Sequence, residues 1–281
     1  RRSSDLAPSF DEVLGKLNYL LQLADGRARE NPLKLSGDLE TQIGDIVAGL
    51  PEVLGSRKLG QLLNHTSGLS DYGPMPEYQQ AVSANAPAWN RAEFLQRVSA
   101  LPHERQGFSY SNIGYFLLRL GVEQQTGLTY FESLQELVFN QLGFADVAAW
   151  ENIEDWSFED KPVDMQKYDP KWVYSGTFLA EPEALRIAFA KLVQLRMLGL
   201  GLEAGNTVLD YPDTGMDQPA YNYGFMTDGS VPKLVGHGGG GPGLGLMILG
   251  KPGADRFELE YQFGGGFDQT AAIKRLRVLA G

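Results

Sequence analysis

From Tyr221 onward the sequence consists of short apolar runs separated by glycines and turn-forming residues, and this pattern constrains the fold more than any other. It predicts antiparallel strands that follow one another as a meander. We expect the strands at residues 221–227, 234–239, 243–250 and 256–264. A helical pattern over residues 270–280 then closes the chain.

The preceding residues have the three- and four-residue apolar spacing of helices. An amphipathic helix is expected over residues 10–23, and a shorter helix over residues 39–50. Further helices are expected at residues 92–101, 114–125, 130–142 and 181–198. Helices followed by strands indicate the α+β class. A sheet of this kind usually needs a further partner strand, and the first 60 residues show no pattern that would obviously supply one.

The 281 residues include 35 acidic and 24 basic side chains, a formal net charge of −11, and no cysteine. An acidic chain without a basic stripe repels a phosphate backbone, so we expect no nucleic-acid partner. Without cysteine there is no disulfide framework and no cysteine nucleophile. The longest apolar runs, such as residues 244–249, are far shorter than a membrane span. The first residue is Arg1 rather than Met, so we expect the chain to begin after a cleavage or to be a fragment.

Two glycine patterns match ligand-binding motifs without the context that those motifs need. Gly236, Gly238 and Gly241 fit a dinucleotide fingerprint, which must open a helix, whereas the following residues continue as a strand. Residues 245–251 have the spacing of a phosphate-binding loop, but Pro252 stands in place of the magnesium-binding hydroxyl. The three histidines also lack the spacing of metal ligands. We therefore expect neither a cofactor nor a metal.

Three other segments are harder to dismiss: residues 62–69 (LLNHTSGL), 110–115 (YSNIGY) and 236–243 (GHGGGGPG). In this order and at these separations they resemble the serine β-lactamase and penicillin-binding protein superfamily. The resemblance is closest to its branch of class C β-lactamases, D-Ala-D-Ala peptidases and esterases. Each motif alone is weak, and the three in register indicate the fold.

The resemblance implies a role for each motif. Tyr110 would relay a proton beside the nucleophile, and Asn112 would offer its amide to the acyl-amide group of the substrate. The backbone N–H of Gly240 would be one of two oxyanion donors. The strand motif that is Lys-Thr-Gly in other branches would consist here of His237, Gly238 and Gly239.

Each role has a structural alternative. Tyr110 would instead be an aromatic residue that packs on the core at the start of a helix, and Asn112 would be a helix cap. The glycine-rich segment would be a bulge beside a half-exposed His237. The resemblance makes residues 65–68 a structural turn beneath the helical domain. A catalytic pair of His65 with the serine two residues later is not expected, because near neighbours rarely reach each other in triad geometry.

The family's nucleophilic serine belongs to a Ser-x-x-Lys motif at the start of a helix, upstream of residue 62. The only literal match in the sequence is residues 230–233, which Gly229 and Pro232 place in a turn between strands. In one interpretation the helix over residues 10–23 is a degraded serine helix, with Val13 and Lys16 at the motif positions, and the protein is a non-catalytic relative.

In the other interpretation that helix is the family's N-terminal helix, and two strands plus the serine helix are absent between about residues 31 and 35. An absent segment would also explain the missing partner strands, and it leaves the other two motifs intact.

The resemblance implies a β-lactamase/transpeptidase-like fold, with an antiparallel sheet flanked by helices and an inserted helical domain. Residues 1–62 and 174–281 would form the α/β domain and residues 63–173 the helical domain, with the substrate cleft between them. It implies a serine hydrolase that forms an acyl-enzyme with a β-lactam, a D-Ala-D-Ala peptide or a small ester. The family alone implies a periplasmic or extracellular location, and the oligomeric state stays open.

Because the chain has no identifiable nucleophile, we expect no turnover, since losing such a residue costs about a millionfold in rate. The alternative function is a pseudoenzyme that binds a cell-wall fragment or a protein partner in the same cleft.

Overall fold

The computed structural model describes residues 7–8, 38–156, 166–198, 207–209, 214–229, 233–241 and 243–280. The helix expected over residues 10–23, and the interval 31–35 where the sequence suggests an absent segment, lie outside the described residues.

Two antiparallel sheets are present among the described residues. The smaller one has the strand order β1-β3-β2 and consists of β1 (Ala7–Pro8), β2 (Val147–Ala149) and β3 (Phe178–Ala180). The larger one has six strands in sequence order: β4 (Thr207–Val208), β5 (Pro219–Asn222), β6 (Phe225–Asp228), β7 (Leu234–Gly241), β8 (Leu244–Gly250) and β9 (Glu258–Phe263). This meander, together with the helices, confirms the α+β class and the antiparallel sheet.

The strand expected over residues 221–227 is wrong, because this stretch contains a hairpin. Asn222 pairs with Phe225, so a two-residue turn joins β5 to β6. Tyr223 and Gly224 have φ angles of 42° and 101°. Positive φ at both turn positions gives a twist that suits the flanking strands. Tyrosine is unusual at the first position of such a turn, so the local sequence does not predict the turn.

The helices of the described residues cover most of the expected positions. They are α1 (Ile43–Ile46), α2 (Glu52–Gly55), α3 (Leu59–Leu63), α4 (Pro76–Ser83), α5 (Arg91–Ser99), α6 (Asn112–Thr126), α7, α8 (Pro182–Leu198) and α9 (Gln269–Ala280). Helix α7 begins as Tyr130–Leu134, continues as a π-helix over Gln135–Phe139 and ends with Asn140–Leu142.

The single helix expected over residues 39–50 is also wrong. The chain forms α1 and α2 instead, separated by Gly49 and Pro51. Helix α1 ends at Ile46, since Val47 has an extended backbone with φ −105° and ψ 101°, and Gly49 then has a φ of 78° in the turn that follows. Pro51 disfavours helical backbone at Leu50, the residue before it. The chain therefore leaves the helical conformation at Val47 and begins a second helix after Pro51, the N-cap residue of α2.

Strand β8 lies between two hydrophobic clusters of the described residues, and every residue in it is buried. Leu244, Leu246 and Ile248 belong to the main core, which packs mainly among the helices. Met247 and Leu249 point the other way and pack with residues of α9. The two-residue period of a strand explains this division. Helix α9 therefore covers one face of the sheet, and α8 packs on the other, where the Phe189 ring lies 5.6 Å from the Phe225 ring, centroid to centroid.

Asn64, in the first sequence motif, joins the helical part of the chain to the sheet. Its side-chain nitrogen donates to the hydroxyl of Thr207 in β4, and its side-chain oxygen accepts from the backbone N–H of Tyr223 at 3.3 Å. The motif thus fixes the β5–β6 hairpin against α3. The domain boundaries at residues 62 and 174 stay a prediction.

Candidate active site

A cavity of about 830 Å³ lies between the glycine-rich strand β7 and the residues that precede α6. It brings together the residues that the motifs single out. Tyr110 and Asn112 line one side, and residues 237–241 line the other. Their catalytic roles stay predictions, but their common location is the arrangement that those roles require.

Tyr110 and Asn112 are placed by the start of α6. Ser111 is the N-cap residue, and its hydroxyl accepts from the N–H of Gly114 at 3.4 Å. Asn112 is therefore the first residue of the helix rather than its cap, against the structural alternative for this residue. Tyr110 stays 36% exposed and lines the cavity. A capped helix start holds both side chains at the cavity wall.

Asp71 positions the amide of Asn112, and nothing in the local sequence pattern singles it out. One carboxylate oxygen accepts from the Asn112 backbone N–H at 2.8 Å, and the other lies 3.5 Å from Nδ2. A carboxylate only accepts, so Nδ2 faces Asp71. The Asn112 Oδ1 is the atom left to accept a hydrogen bond from a substrate N–H. The two positions are 41 residues apart in the sequence, which puts this contact beyond any local motif.

His65 lies beneath Tyr110 and serves as a support. Its Nδ1 accepts from the Ser111 N–H at 3.0 Å, and its carbonyl accepts from the Ser109 N–H at 2.8 Å. The imidazole lies 4.2 Å from the Tyr110 ring and 4.8 Å from the Tyr221 ring, centroid to centroid. These contacts agree with the interpretation of residues 65–68 as a structural turn, and they hold Tyr110 from below.

His237 is only 3% exposed, so the expected half-exposed histidine of the structural alternative is wrong. Its Nδ1 lies 2.5 Å from the carbonyl oxygen of Gly238, which can only accept, so Nδ1 carries a proton. Its Nε2 lies 3.1 Å from the Tyr221 hydroxyl. In the neutral ring Nε2 therefore accepts from Tyr221. The residue in the place of the family's lysine is an imidazole held by two hydrogen bonds.

The cavity-facing end of β7 is a strand edge. β8 pairs with β7 from Val235 to Gly241, whereas the pairs with β6 stop at Gly236. Among the described residues no strand pairs with the β6 side of residues 237–241. A Cβ added at Gly240 would have no neighbour closer than 4.0 Å. The glycines keep this edge accessible to a ligand, which could add to it as an extra strand.

Tyrosines form the opposite wall. Tyr72 and Tyr78 pack edge to face, with ring centroids 5.0 Å apart, and Tyr168 lines the same side. Burial raises the pKa of Tyr72 and of Tyr168 well above the ordinary value, so both stay neutral. Among the described residues that line the cavity, none is Lys, Arg, Asp or Glu. The sequence motifs gave no sign of this wall, because its residues come from distant segments.

Neither a metal-binding cluster nor a membrane-spanning helix is found among the described residues. No group of three or more histidine, aspartate and glutamate side chains is placed to hold a metal ion. No helix in that part of the chain combines the length and apolar character of a membrane span.

A family model described as Beta-lactamase matches residues 50–267, which contain all three motifs. The chain belongs to the β-lactamase family. No curated protein sequence matches this β-lactamase family member.

Solved structures show the same fold. The D-stereospecific amidohydrolase from Streptomyces sp. has a TM-score of 0.71 at 20% identity, over 95% of this chain and 85% of that one. The D-amino acid amidase from Ochrobactrum anthropi SV3 has a TM-score of 0.67 at 19% identity, over 99% and 82%. The β-lactamase/D-alanine carboxypeptidase from Yersinia pestis has a TM-score of 0.68 at 14% identity, over 99% and 84%. At these identities the likeness of the β-lactamase family member to each of them is one of fold.

The Ser-x-x-Lys match at residues 230–233 lies in the sequence between β6 and β7, which are antiparallel neighbours. Residues 230–232 are outside the described residues, so the expectation that this match is not the family motif stays a prediction.

Proposed function

We propose that the cleft binds the carbonyl group of an amide or ester, in the manner of β-lactamase-like serine hydrolases. The observation that carries the proposal is the single cavity that gathers Tyr110, Asn112 and the open glycine edge of β7. The proposal takes Tyr110 as the proton-relay phenol and the β7 edge as the source of backbone donors, two of the three groups that acyl transfer needs.

Each group has a defined task in this proposal. The Asn112 Oδ1 accepts from the substrate's acyl-amide N–H, because Asp71 occupies Nδ2. The Gly240 N–H donates to the developing oxyanion, a contact worth about a hundred- to a thousandfold in rate where catalysis occurs. Tyr110 transfers the proton between nucleophile and leaving group.

We propose a neutral amide as the preferred ligand. The described lining residues carry no Lys or Arg to pair with a carboxylate, and His237 is held by Gly238 and Tyr221. A neutral wall of tyrosines suits an uncharged acyl compound, because a carboxylate placed there would lose hydration without gaining a partner. The fold likeness to two amide-cleaving proteins agrees with this choice.

The missing Ser-x-x-Lys motif favours a second candidate, a non-catalytic relative that uses the cleft for binding alone. Its ligand would be a cell-wall fragment or a protein partner that presents an amide carbonyl. Both candidates share the binding step and differ in covalent chemistry. For either, we propose the periplasmic or extracellular location that is typical of the family.

Two measurements separate the candidates. Nitrocefin and p-nitrophenyl acetate report a burst if the chain forms an acyl-enzyme, and intact-mass analysis reports the covalent adduct. We expect neither a burst nor an adduct with the 281-residue chain. A burst with a stoichiometric adduct would establish a nucleophile and remove the non-catalytic candidate.

Binding is tested by calorimetry with N-acetyl-D-tyrosinamide and its free acid. We expect the amide to bind more tightly than the acid, and Asn112→Ala to weaken the amide about two- to tenfold. The matched control is Asn140→Ala, an exposed asparagine that lies outside the cavity. Tighter binding of the acid, or equal effects of the two variants, would contradict the proposal.

A further inference from the structure

A second cavity, of about 620 Å³, lies among α5, α6, α7 and the segment around residue 150. Among the described residues, Val173 alone lines both this cavity and the cleft. The proposed acyl chemistry uses none of its other residues. The second cavity is therefore distinct from the cleft, and the proposed function of the cleft does not explain its lining residues.

The net charge of its described lining residues is positive, although the chain is acidic overall. Arg91, Arg119 and Lys171 line it against Glu123 and Glu151, so three cations face two carboxylates. The chain as a whole carries a formal charge of −11. A locally cationic cavity on such a molecule is a distinct electrostatic feature, and it attracts an anion.

The two arginines share one carboxylate. Arg119 Nε lies 2.8 Å from one oxygen of Glu123, and Arg91 bonds the other oxygen. A single carboxylate neutralises one guanidinium charge, so the triad keeps one positive charge at the cavity wall. The remaining N–H groups of the two guanidiniums can donate to a second carboxylate.

Two buried residues that line the same cavity, Trp150 and Thr177, each carry a polar atom, Nε1 and Oγ1, without a hydrogen-bond partner among the described residues. Trp150 is 3% exposed and Thr177 is 9% exposed. Buried polar groups are normally satisfied, and an unpaired one costs about 1–3 kcal/mol. An indole N–H only donates and a hydroxyl can donate, so both match an acceptor such as a carboxylate oxygen.

The rest of the wall is apolar and aromatic, with Trp89, Phe116, Tyr130, Phe131 and Leu134 among its residues. Flat apolar side chains around a few polar groups are typical of sites for small amphipathic ligands. We propose that this cavity is a second ligand site, which binds a small monocarboxylate with an aromatic or hydrocarbon body. The carboxylate takes hydrogen bonds from the arginine pair, Trp150 and Thr177, and the body packs on the aromatic wall.

The probe is 3-phenylpropionate, with 3-phenylpropanamide as a neutral ligand of nearly the same shape, titrated calorimetrically into the full chain. We expect the carboxylate to bind at one site and the amide to bind at least about tenfold more weakly. Rising salt should weaken the carboxylate alone. Equal affinities of the two ligands, or no measurable heat from the carboxylate, would overturn the proposal.

Thr177→Val removes the hydroxyl at nearly constant volume, and we expect it to weaken 3-phenylpropionate at least about threefold. The matched control is Thr227→Val, because Thr227 also has a buried, unpaired hydroxyl but lines neither cavity. An unchanged affinity in Thr177→Val would refute the site. The ligand comparison in the unmodified chain decides the question if the variant fails to fold.

The same titration on Gly240→Ala separates this site from the cleft. We expect the affinity for 3-phenylpropionate to be unchanged, because Gly240 lines only the cleft. A parallel loss of carboxylate and amide-substrate binding in Gly240→Ala would place the carboxylate in the cleft and overturn the second site.

Discussion

Replacing Gly240 by alanine tests two properties separately: the stability of the protein and the affinity of the cleft for its ligand. Gly240 is absent from the glycines with positive φ, and a Cβ there would lie no closer than 4.0 Å to any neighbour. The native backbone therefore accepts alanine without strain. Alanine also reduces the conformational entropy of the unfolded chain, which stabilises a protein by about 0.4–1 kcal/mol at such sites. We expect the free energy of unfolding to stay constant or to rise by that amount.

Gly236 in the same strand is the matched control. A Cβ at Gly236 would lie 2.2 Å from the backbone oxygen of Ile248, so the two strands would have to move apart. Overpacking of this kind costs about 1–3 kcal/mol. Urea unfolding, followed by tryptophan fluorescence, should give a lower midpoint for Gly236→Ala and an unchanged or higher midpoint for Gly240→Ala.

The same methyl group stands in the cleft. If a substrate lies along the β7 edge, the extra group crowds it, and about 1–3 kcal/mol of overpacking is a loss of about fivefold to a hundredfold in affinity. Calorimetry with N-acetyl-D-tyrosinamide measures this. A Gly240→Ala protein that unfolds as easily as Gly236→Ala, or that binds the amide at full strength, would refute the reasoning.

Three further predictions follow from buried contacts. Asp71→Ala removes the acceptor of the Asn112 backbone N–H at the start of α6, and we expect urea unfolding to show a loss of about 0.5–2 kcal/mol, with weaker amide binding. Tyr221→Phe leaves the buried His237 Nε2 without its donor, so we expect a loss of about 1–3 kcal/mol and a shifted imidazole resonance in the NMR spectrum. Burial lowers the pKa of His103 below its usual 6.5, so the unfolded chain binds its proton first as the pH falls. The contribution of neutral His103 to the free energy of unfolding is complete above pH 6.5 and is lost as the pH falls through the lowered pKa. In urea unfolding, we therefore expect the midpoint of His103→Gln to fall less steeply with decreasing pH than the midpoint of the unmodified chain.

The parts of the fold that the sequence predicts well are those that depend on local periodicity. The three strands from β7 onward follow from apolar runs between glycines, and α6 follows from regular apolar spacing. The motifs around Tyr110 and His237 also lie in short segments, and the structure brings them to one cavity. The residues within one short segment are sufficient to predict these strands, this helix and these motifs.

The errors occur where one residue overrides the pattern or where distant segments meet. Tyr223 adopts a positive φ that tyrosine rarely takes, and Val47 has an extended backbone within a helical spacing that otherwise continues. The contact of Asp71 with Asn112 and the wall that contains Tyr72 depend on tertiary packing. No periodicity in one segment predicts its partner in another.

The stretch from Val173 to Thr177 is a partition between the two cavities. Val173 lines both, Ser175 lines the cleft, and Tyr174 and Thr177 line the second cavity. A ligand that shifts this partition on one side alters the volume on the other. Any resulting change in affinity is reciprocal, because each ligand must affect the other by the same factor. Because only a few residues separate the two cavities, the affinities for their two ligands have to be measured together as well as one at a time.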